Sequence, residues 1–420
     1  MLVVSKNIAL KLRSYSLERK IILIKTWKMK LNLKLWMSLE MFLVILININ
    51  TVFFQNEFLT SVLHGMTFVL LLLASFLVRF SPETILLIIV SSFSVVLNFL
   101  MTETALEINR LSKLIFFFSS VLIMYYSNIM NVTEKLKEKV LFSGVIVAGI
   151  YTGGYYVLGN DIMYGSGLTL GFTNPNFFAF WIFHAIIYCT IYLFGEKRKI
   201  KKCIVSIFMV GLLALLNETR CRSVLVALFV FFILIIIRVV NNKFALKKSQ
   251  IVVLCTIPLL IPVFYNVITT KLSSFFSFMV SEGKSLSSRT VPWTFAFEHI
   301  MSHPLFGNYN EVVDFELGHM HNIYLEVLTA YGLIVFVAFF ALLVKMILTL
   351  NEQCITLSRY AAVSGLICVM IYSTFEASLI TGSLGLIYLT AGLVLLSRNV
   401  EHSDTDDTGK INNRRKRLKC

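Results

Sequence analysis

Charge is what this chain has least of. Asp, Glu, Lys and Arg make up 15% of its 420 residues, against roughly 25% in an ordinary soluble domain. With 57% hydrophobic residues, too little polar surface remains to clothe a water-soluble fold of this length. The seven cysteines, Cys189, Cys203, Cys221, Cys255, Cys354, Cys368 and Cys420, are scattered and never spaced as Cys-x-x-Cys. That spacing supports neither a disulfide framework nor a metal site. Residues 1–34 show no short apolar core followed by small residues, so they do not read as a cleaved signal peptide. The chain also lacks a phosphate-binding glycine loop, a nucleophile elbow, an HExxH pair and an acidic metal cluster. Hydrolysis of a cytosolic nucleotide is therefore unsupported, and no metal or other cofactor is called for. No repeat of fixed period is visible, which weighs against a transporter built from internal repeats.

What is there is a series of long apolar runs. Runs of roughly 17–25 residues, each able to cross about 30 Å of hydrocarbon, recur from Leu35 almost to the C-terminus. In lipid they must be helices, because an open strand would leave backbone groups unpaired. The expected fold is an all-α polytopic membrane protein with about twelve transmembrane helices, at 35–53, 59–78, 83–101, 111–130, 139–158, 172–194, 203–217, 223–240, 251–269, 321–344, 360–376 and 378–397. Short cytoplasmic loops collect Lys and Arg. With both termini cytoplasmic, only Arg110, Lys113, Arg220, Arg222, Lys271, Lys284 and Arg289 of the 38 Lys and Arg residues fall outside. The formal net charge of +15 is then an orientation signal, and no nucleic-acid motif accompanies it. Residues 1–34 read as a basic cytoplasmic arm on the inner leaflet, 35–269 as nine spans, 270–320 as one large extracytoplasmic loop, 321–397 as three more spans, and 398–420 as a basic cytoplasmic tail.

The long loop holds the most polar stretch, Arg289 to Asn322. A connection of that length is functional or disordered, and its aromatic content, Trp293, Phe295, Phe297 and Phe306, favours order. Thr290-Val291-Pro292 has the form of a helix start, and His303-Pro304-Leu305-Phe306-Gly307 that of a turn. His319, His321 and Asn322 then fall at the outer mouth of the tenth span. A histidine can take up and return a proton near neutral pH, as activation of a sugar hydroxyl requires. Imidazoles also sit comfortably at a lipid–water interface. His319 and His321, two residues apart, do not share a helix face and have no evident third ligand, which disfavours zinc.

Two more segments share the outer side. Asn217-Glu218-Thr219-Arg220-Cys221-Arg222-Ser223 places arginines against the inside bias. Guanidinium groups suit a diphosphate; an ion pair with Glu218 or a lipid headgroup is the alternative. Leu170-Gly171-Phe172-Thr173-Asn174-Pro175-Asn176 opens the sixth span; its amides and hydroxyl either bind sugar or water or cap the helix, and capping is the commoner use. Glu376, between the last two spans, either faces an outer cavity or caps a tight hairpin, again the commoner use.

These segments, in this order, resemble the O-antigen ligase and polymerase superfamily, which includes bacterial capsular and exopolysaccharide polymerases. The matching elements are Gly171–Asn176, Thr219–Ser223, Arg289 followed by Trp293, the His303–Gly307 turn, and His321-Asn322 leading to Gly332. Arg222 takes the family's arginine position; Cys221 stands where a serine is usual, and Arg220 is an extra charge that leaves the neighbouring register open. The resemblance implies a multi-pass protein of the bacterial cytoplasmic membrane catalysing inverting, metal-independent glycosyl transfer. The implied donor is an undecaprenyl-diphosphate-linked oligosaccharide, with membrane lipids and other polysaccharide-assembly proteins as neighbours. His321, Arg222 and Arg289 are the implied catalytic residues, with Arg220, Asn322, His319, Asn176, Trp293 and His303 binding substrate. A polymerase is the favoured activity; ligase-type transfer of a finished glycan and a flippase for lipid-linked oligosaccharide are the alternatives.

Overall fold

The computed structural model describes residues 33–76, 81–102, 108–130, 132–158, 163–164, 167–172, 174–242, 244–271, 290–309, 320–353, 356–377 and 384–400. Most of the basic arm, most of the basic tail, Arg289 and His319 lie outside them. The described chain is helical throughout, apart from short connections and a two-residue antiparallel hairpin, β1 (Met163–Tyr164) and β2 (Gly167–Leu168). The helices are α1 (Leu33–Phe54), α2 (Glu57–Ser75), α3 (Pro82–Thr102), α4 (Ile108–Ile129), α5 (Glu134–Leu158), α6 (Pro175–Gly195), α7 (Lys199–Thr219), α8 (Arg222–Val240) and α9 (Lys248–Lys271). They continue as α10 (Thr290–Ser302), α11 (Ile323–Glu352), α12 (Leu357–Tyr372) and α13 (Leu384–Ser397). Among the described residues, seven helices are long and apolar enough to cross a membrane: α1, α2, α5, α6, α7, α8 and α11. α3, α4, α9, α12 and α13 contain shorter apolar stretches. The protein is an all-α membrane protein.

The centre of the bundle consists of α6, α12 and α13, whose side chains are buried almost without interruption. Helices apolar on every face belong inside a larger assembly, and the three pack on one another. α2, α3, α7 and α8 instead turn side chains such as Leu72, Ile89, Val210 and Phe229 outward. α12 runs opposite to both α8 and α6. Arg238, at the end of α8, sits 5.5 Å over the ring of Tyr360 at the start of α12. At the far end of α12, the Tyr372 hydroxyl donates to the Asn176 carbonyl at 3.1 Å. The bundle thus has two distinct ends. At one lie Lys137 bonded to the Arg398 carbonyl, Lys248 with Glu352 at 2.7 Å and Lys345 with Glu83 at 3.5 Å. Exposed pairs of that kind contribute little stability. The other end carries the starts of α6, α8 and α11.

One helix is broken. Gly332, inside α11, has φ 80° and ψ 177°, outside the helical region. It lies about 14 Å along the axis from Ile323, at 1.5 Å per residue. An unbroken helix would join the Leu333 amide to the Thr329 carbonyl. Instead the turn after α10 takes both groups: Leu333 N donates to the Pro304 carbonyl at 2.9 Å, and Asn308 N donates to the Thr329 carbonyl at 2.8 Å. Ser94 of α3 secures the insertion by donating to the Phe306 carbonyl at 2.5 Å. The His303–Gly307 turn therefore does more than end α10 at the surface; it is wedged between α3 and α11. A Cβ at Gly332 would lie 2.2 Å from the Leu305 carbonyl oxygen. Gly332→Ala is therefore expected to destabilise the fold by at least about 2 kcal/mol, from backbone strain and the clash together. The exposed neighbour Leu333→Ala is expected to stay within about 0.5 kcal/mol of the parent. Thermal denaturation of the two purified variants checks this.

Candidate functional site

Three connections at the non-basic end share an uncommon backbone feature. Among the described residues, the non-glycine residues with left-handed φ are Gln55, Leu170, Arg220 and His321. The last three lie in the three segments singled out from the sequence. Strained residues cluster where surrounding structure holds them for a function. In the first segment, Leu170 and Gly171 reverse the chain before α6. A Cβ on Gly171, at φ 87°, would fall 2.1 Å from the Thr51 carbonyl oxygen, so only glycine fits there. Asn174 Oδ1 then accepts from the Phe177 amide at 2.7 Å, and Pro175 opens the first turn, as α6's apolar run requires of its start.

The second segment abuts the first, because Gly167 of β2 packs against Pro175 and against the Thr219 carbonyl. Arg220 terminates α7 with φ 53° and is exposed. Cys221 is buried and its thiol lies 3.3 Å from the Ser223 hydroxyl. Arg222, half-buried, is the first residue of α8. Because α8 runs antiparallel to α12, Arg222 belongs to the end of the bundle at which α12 finishes and Glu376 follows.

The third segment begins at Met320, whose amide donates to Glu326 Oε2 at 2.8 Å and whose carbonyl accepts from Trp293 Nε1 at 3.0 Å. His321 has φ 50°. Asn322 Oδ1 accepts from the amides of Tyr324 and Leu325 at 2.9 and 3.0 Å, which starts α11. The Ile323 amide donates to the Ser373 carbonyl at 2.9 Å, tying the start of α11 to the end of α12.

The first and third of these connections meet at Glu376. Its Oε1 accepts from Asn176 Nδ2 at 2.9 Å, and its Oε2 lies 3.2 Å from His321 Nδ1. The Glu376 side chain is 7% exposed and that of His321 28%. A buried carboxylate of this kind needs partners to offset its desolvation, and an amide and an imidazole supply them. Glu376 thus bridges separate helices rather than merely capping its own hairpin. Sequence reading missed this role; the available signal was a carboxylate in the short polar break between two apolar runs.

The other predicted residues divide cleanly. Asn176 and His321 are brought together. Asn322 is fully buried and serves as a helix cap, while buried Trp293 spends its indole N–H on the Met320 carbonyl. His303 lies in the wedged turn, its Nδ1 3.0 Å from the Ser302 hydroxyl. Among the described residues, no group of three or more His, Cys, Asp and Glu is placed to hold a metal ion. No family model matches the chain, and no curated protein matches its sequence.

The capping geometry sets a test for Asn322. Asn322→Ala is expected to cost about 1 kcal/mol or more of stability, whereas Asn322→Ser keeps a capping oxygen and costs a few tenths. A substrate anchor would instead lose turnover with Ser at unchanged stability, so paired melting and turnover measurements separate the two roles.

Proposed function

We propose that this protein is a polysaccharide polymerase of the bacterial cytoplasmic membrane, transferring an undecaprenyl-diphosphate-linked glycan onto a lipid-linked repeat unit at the outer face. The observation that carries the reading is the joining of Asn176 and His321 through Glu376, at the end of the bundle that also holds Arg222. A base, a cation and polar anchors at one helix-bundle mouth are the ingredients that glycosyl transfer from a lipid diphosphate needs. Arg289, outside the described residues, is the second cation in this proposal.

In the reaction, the acceptor hydroxyl oxygen attacks the anomeric carbon from the face opposite the diphosphate. The bond from that carbon to the diphosphate oxygen breaks, and its electron pair leaves with the lipid diphosphate. His321 takes the hydroxyl proton. Arg222 and Arg289 face the growing negative charge, which fixed cations stabilise best where water is excluded. All twelve helices other than α10 cross the bilayer in this reading, with both termini cytoplasmic. Two features support it: apolar side chains cover α2, α3, α7 and α8, and the basic residues Lys197, Lys201, Lys248 and Lys345 gather at the end opposite the site.

Deleting the gene is expected to leave single lipid-linked repeat units on the outer face and no long chains. Complementation with His321→Ala or Arg222→Ala restores folded protein but not polymer, a loss of at least about 100-fold for the histidine variant. Near-normal polymer in both variants refutes the site. Long polymer held on the lipid in the deletion strain points to a ligase, and single units trapped inside point to a flippase.

A further inference from the structure

The site contains more than a histidine in a suitable place, because its hydrogen bonds have a direction. Asn176 Nδ2 is a donor and reaches Glu376 Oε1 at 2.9 Å. Glu376, once ionised, can only accept. His321 Nδ1, 3.2 Å from the other carboxylate oxygen, is thereby the ring nitrogen that carries the proton. In the neutral ring the lone pair then belongs to Nε2. Further links hold the chain in place: Tyr372 donates to the Asn176 carbonyl, and Ser373, next to it, accepts from the amide of Ile323. The left-handed backbone of His321 is held between Met320, pinned by Trp293 and Glu326, and the cap at Asn322.

We infer that Glu376 is the positioning residue of this site, and that the ordered chain Asn176, Glu376, His321 selects the tautomer in which Nε2 of His321 is the proton acceptor. The inference rests on the polymerase reading above and deepens it. During transfer the acceptor O–H gives its proton to Nε2 while the oxygen bonds to the anomeric carbon and the diphosphate departs with the electron pair. The imidazolium so formed is faced by the Glu376 carboxylate, an arrangement that stabilises it and holds its orientation.

The direction of the chain makes an unusual prediction. In Glu376→Gln the two facing amides can be arranged either way round, with the glutamine NH2 or its carbonyl oxygen toward His321 Nδ1. The ring is then no longer held to one tautomer, and the fraction carrying its proton on Nε2 cannot act as a base. Reversing the first link in Asn176→Asp/Glu376→Gln fixes the amide one way round. The introduced aspartate accepts from the glutamine NH2, the glutamine oxygen accepts from Nδ1–H of His321, and the active tautomer returns although the carboxylate has moved.

The test uses the full-length protein in detergent, with lipid-linked repeat units extracted from a deletion strain as substrate and 15N-histidine labelling to read the ring. In the parent, His321 is expected to show a protonated Nδ1 and an unprotonated Nε2. Glu376→Gln, which loses both the carboxylate facing the imidazolium and the selection of one tautomer, is expected to lower kcat by about 100-fold or more with KM little changed and to show both tautomers. The double variant is expected to recover at least about tenfold of that loss with the parent tautomer. A parent ring protonated at Nε2 overturns the inference without recourse to any variant. So does a folded Glu376→Gln with normal kcat, or a double variant no faster than the single one. His321→Ala tells the two levels apart: if it turns over normally the polymerase site itself is wrong, whereas an inactive His321→Ala beside a normal Glu376→Gln refutes only the role of Glu376.

Discussion

In an apolar bundle, every backbone amide and carbonyl has to find a partner within the protein, and the break in α11 shows how far that constraint shapes this chain. Opening the helix at Gly332 frees the Leu333 amide and the Thr329 carbonyl. The chain between Pro304 and Asn308 returns to bond both, with Ser94 of a third element holding it there. Gly307, at φ 66°, is needed because a Cβ would meet the Thr329 carbonyl oxygen at 2.5 Å. The break in α11 and the turn after α10 are therefore one unit; neither could exist without the other.

The same constraint governs the helix starts around the site. Asn174 and Asn322 each turn a side-chain oxygen onto the first free amides of a helix, which removes a cost of about 1–3 kcal/mol for each buried orphan group. With α6 and α11 begun in this way, a residue close to each cap is left facing the junction between helices. Those residues are Asn176 and His321, and the carboxylate of Glu376 lies between them. Structural capping and the polar site are built from nearby positions in the same short segments.

Much of the architecture is legible from the residues alone, because each apolar run is long and bounded by polar residues. Each of the twelve expected segments overlaps a described helix, and the Thr290-Val291-Pro292 start opens α10 where expected. The segments chosen for chemistry contain three of the four strained non-glycine residues among those described. What the residues alone do not reveal is convergence. Asn176 and Glu376 are two hundred residues apart, and no periodicity announces that they touch. His303-Pro304-Leu305-Phe306-Gly307 has the composition of a surface turn, and only the position of Gly332 in space reveals that it enters a helix. Asn322 stands beside His321 in the sequence and reads there as an anchor for substrate, and the structure adds that its side-chain oxygen caps the backbone of α11.

The wedge also settles what sets the position of His321. The first third of α11 is clamped at its start by Asn322 and Ser373, and at the break by the turn from α10. Its register is thus fixed from both ends by hydrogen bonds. In the polymerase reading, such a design makes the position of the base answer to the break in α11, so that a change at Gly332 shifts the imidazole without touching it.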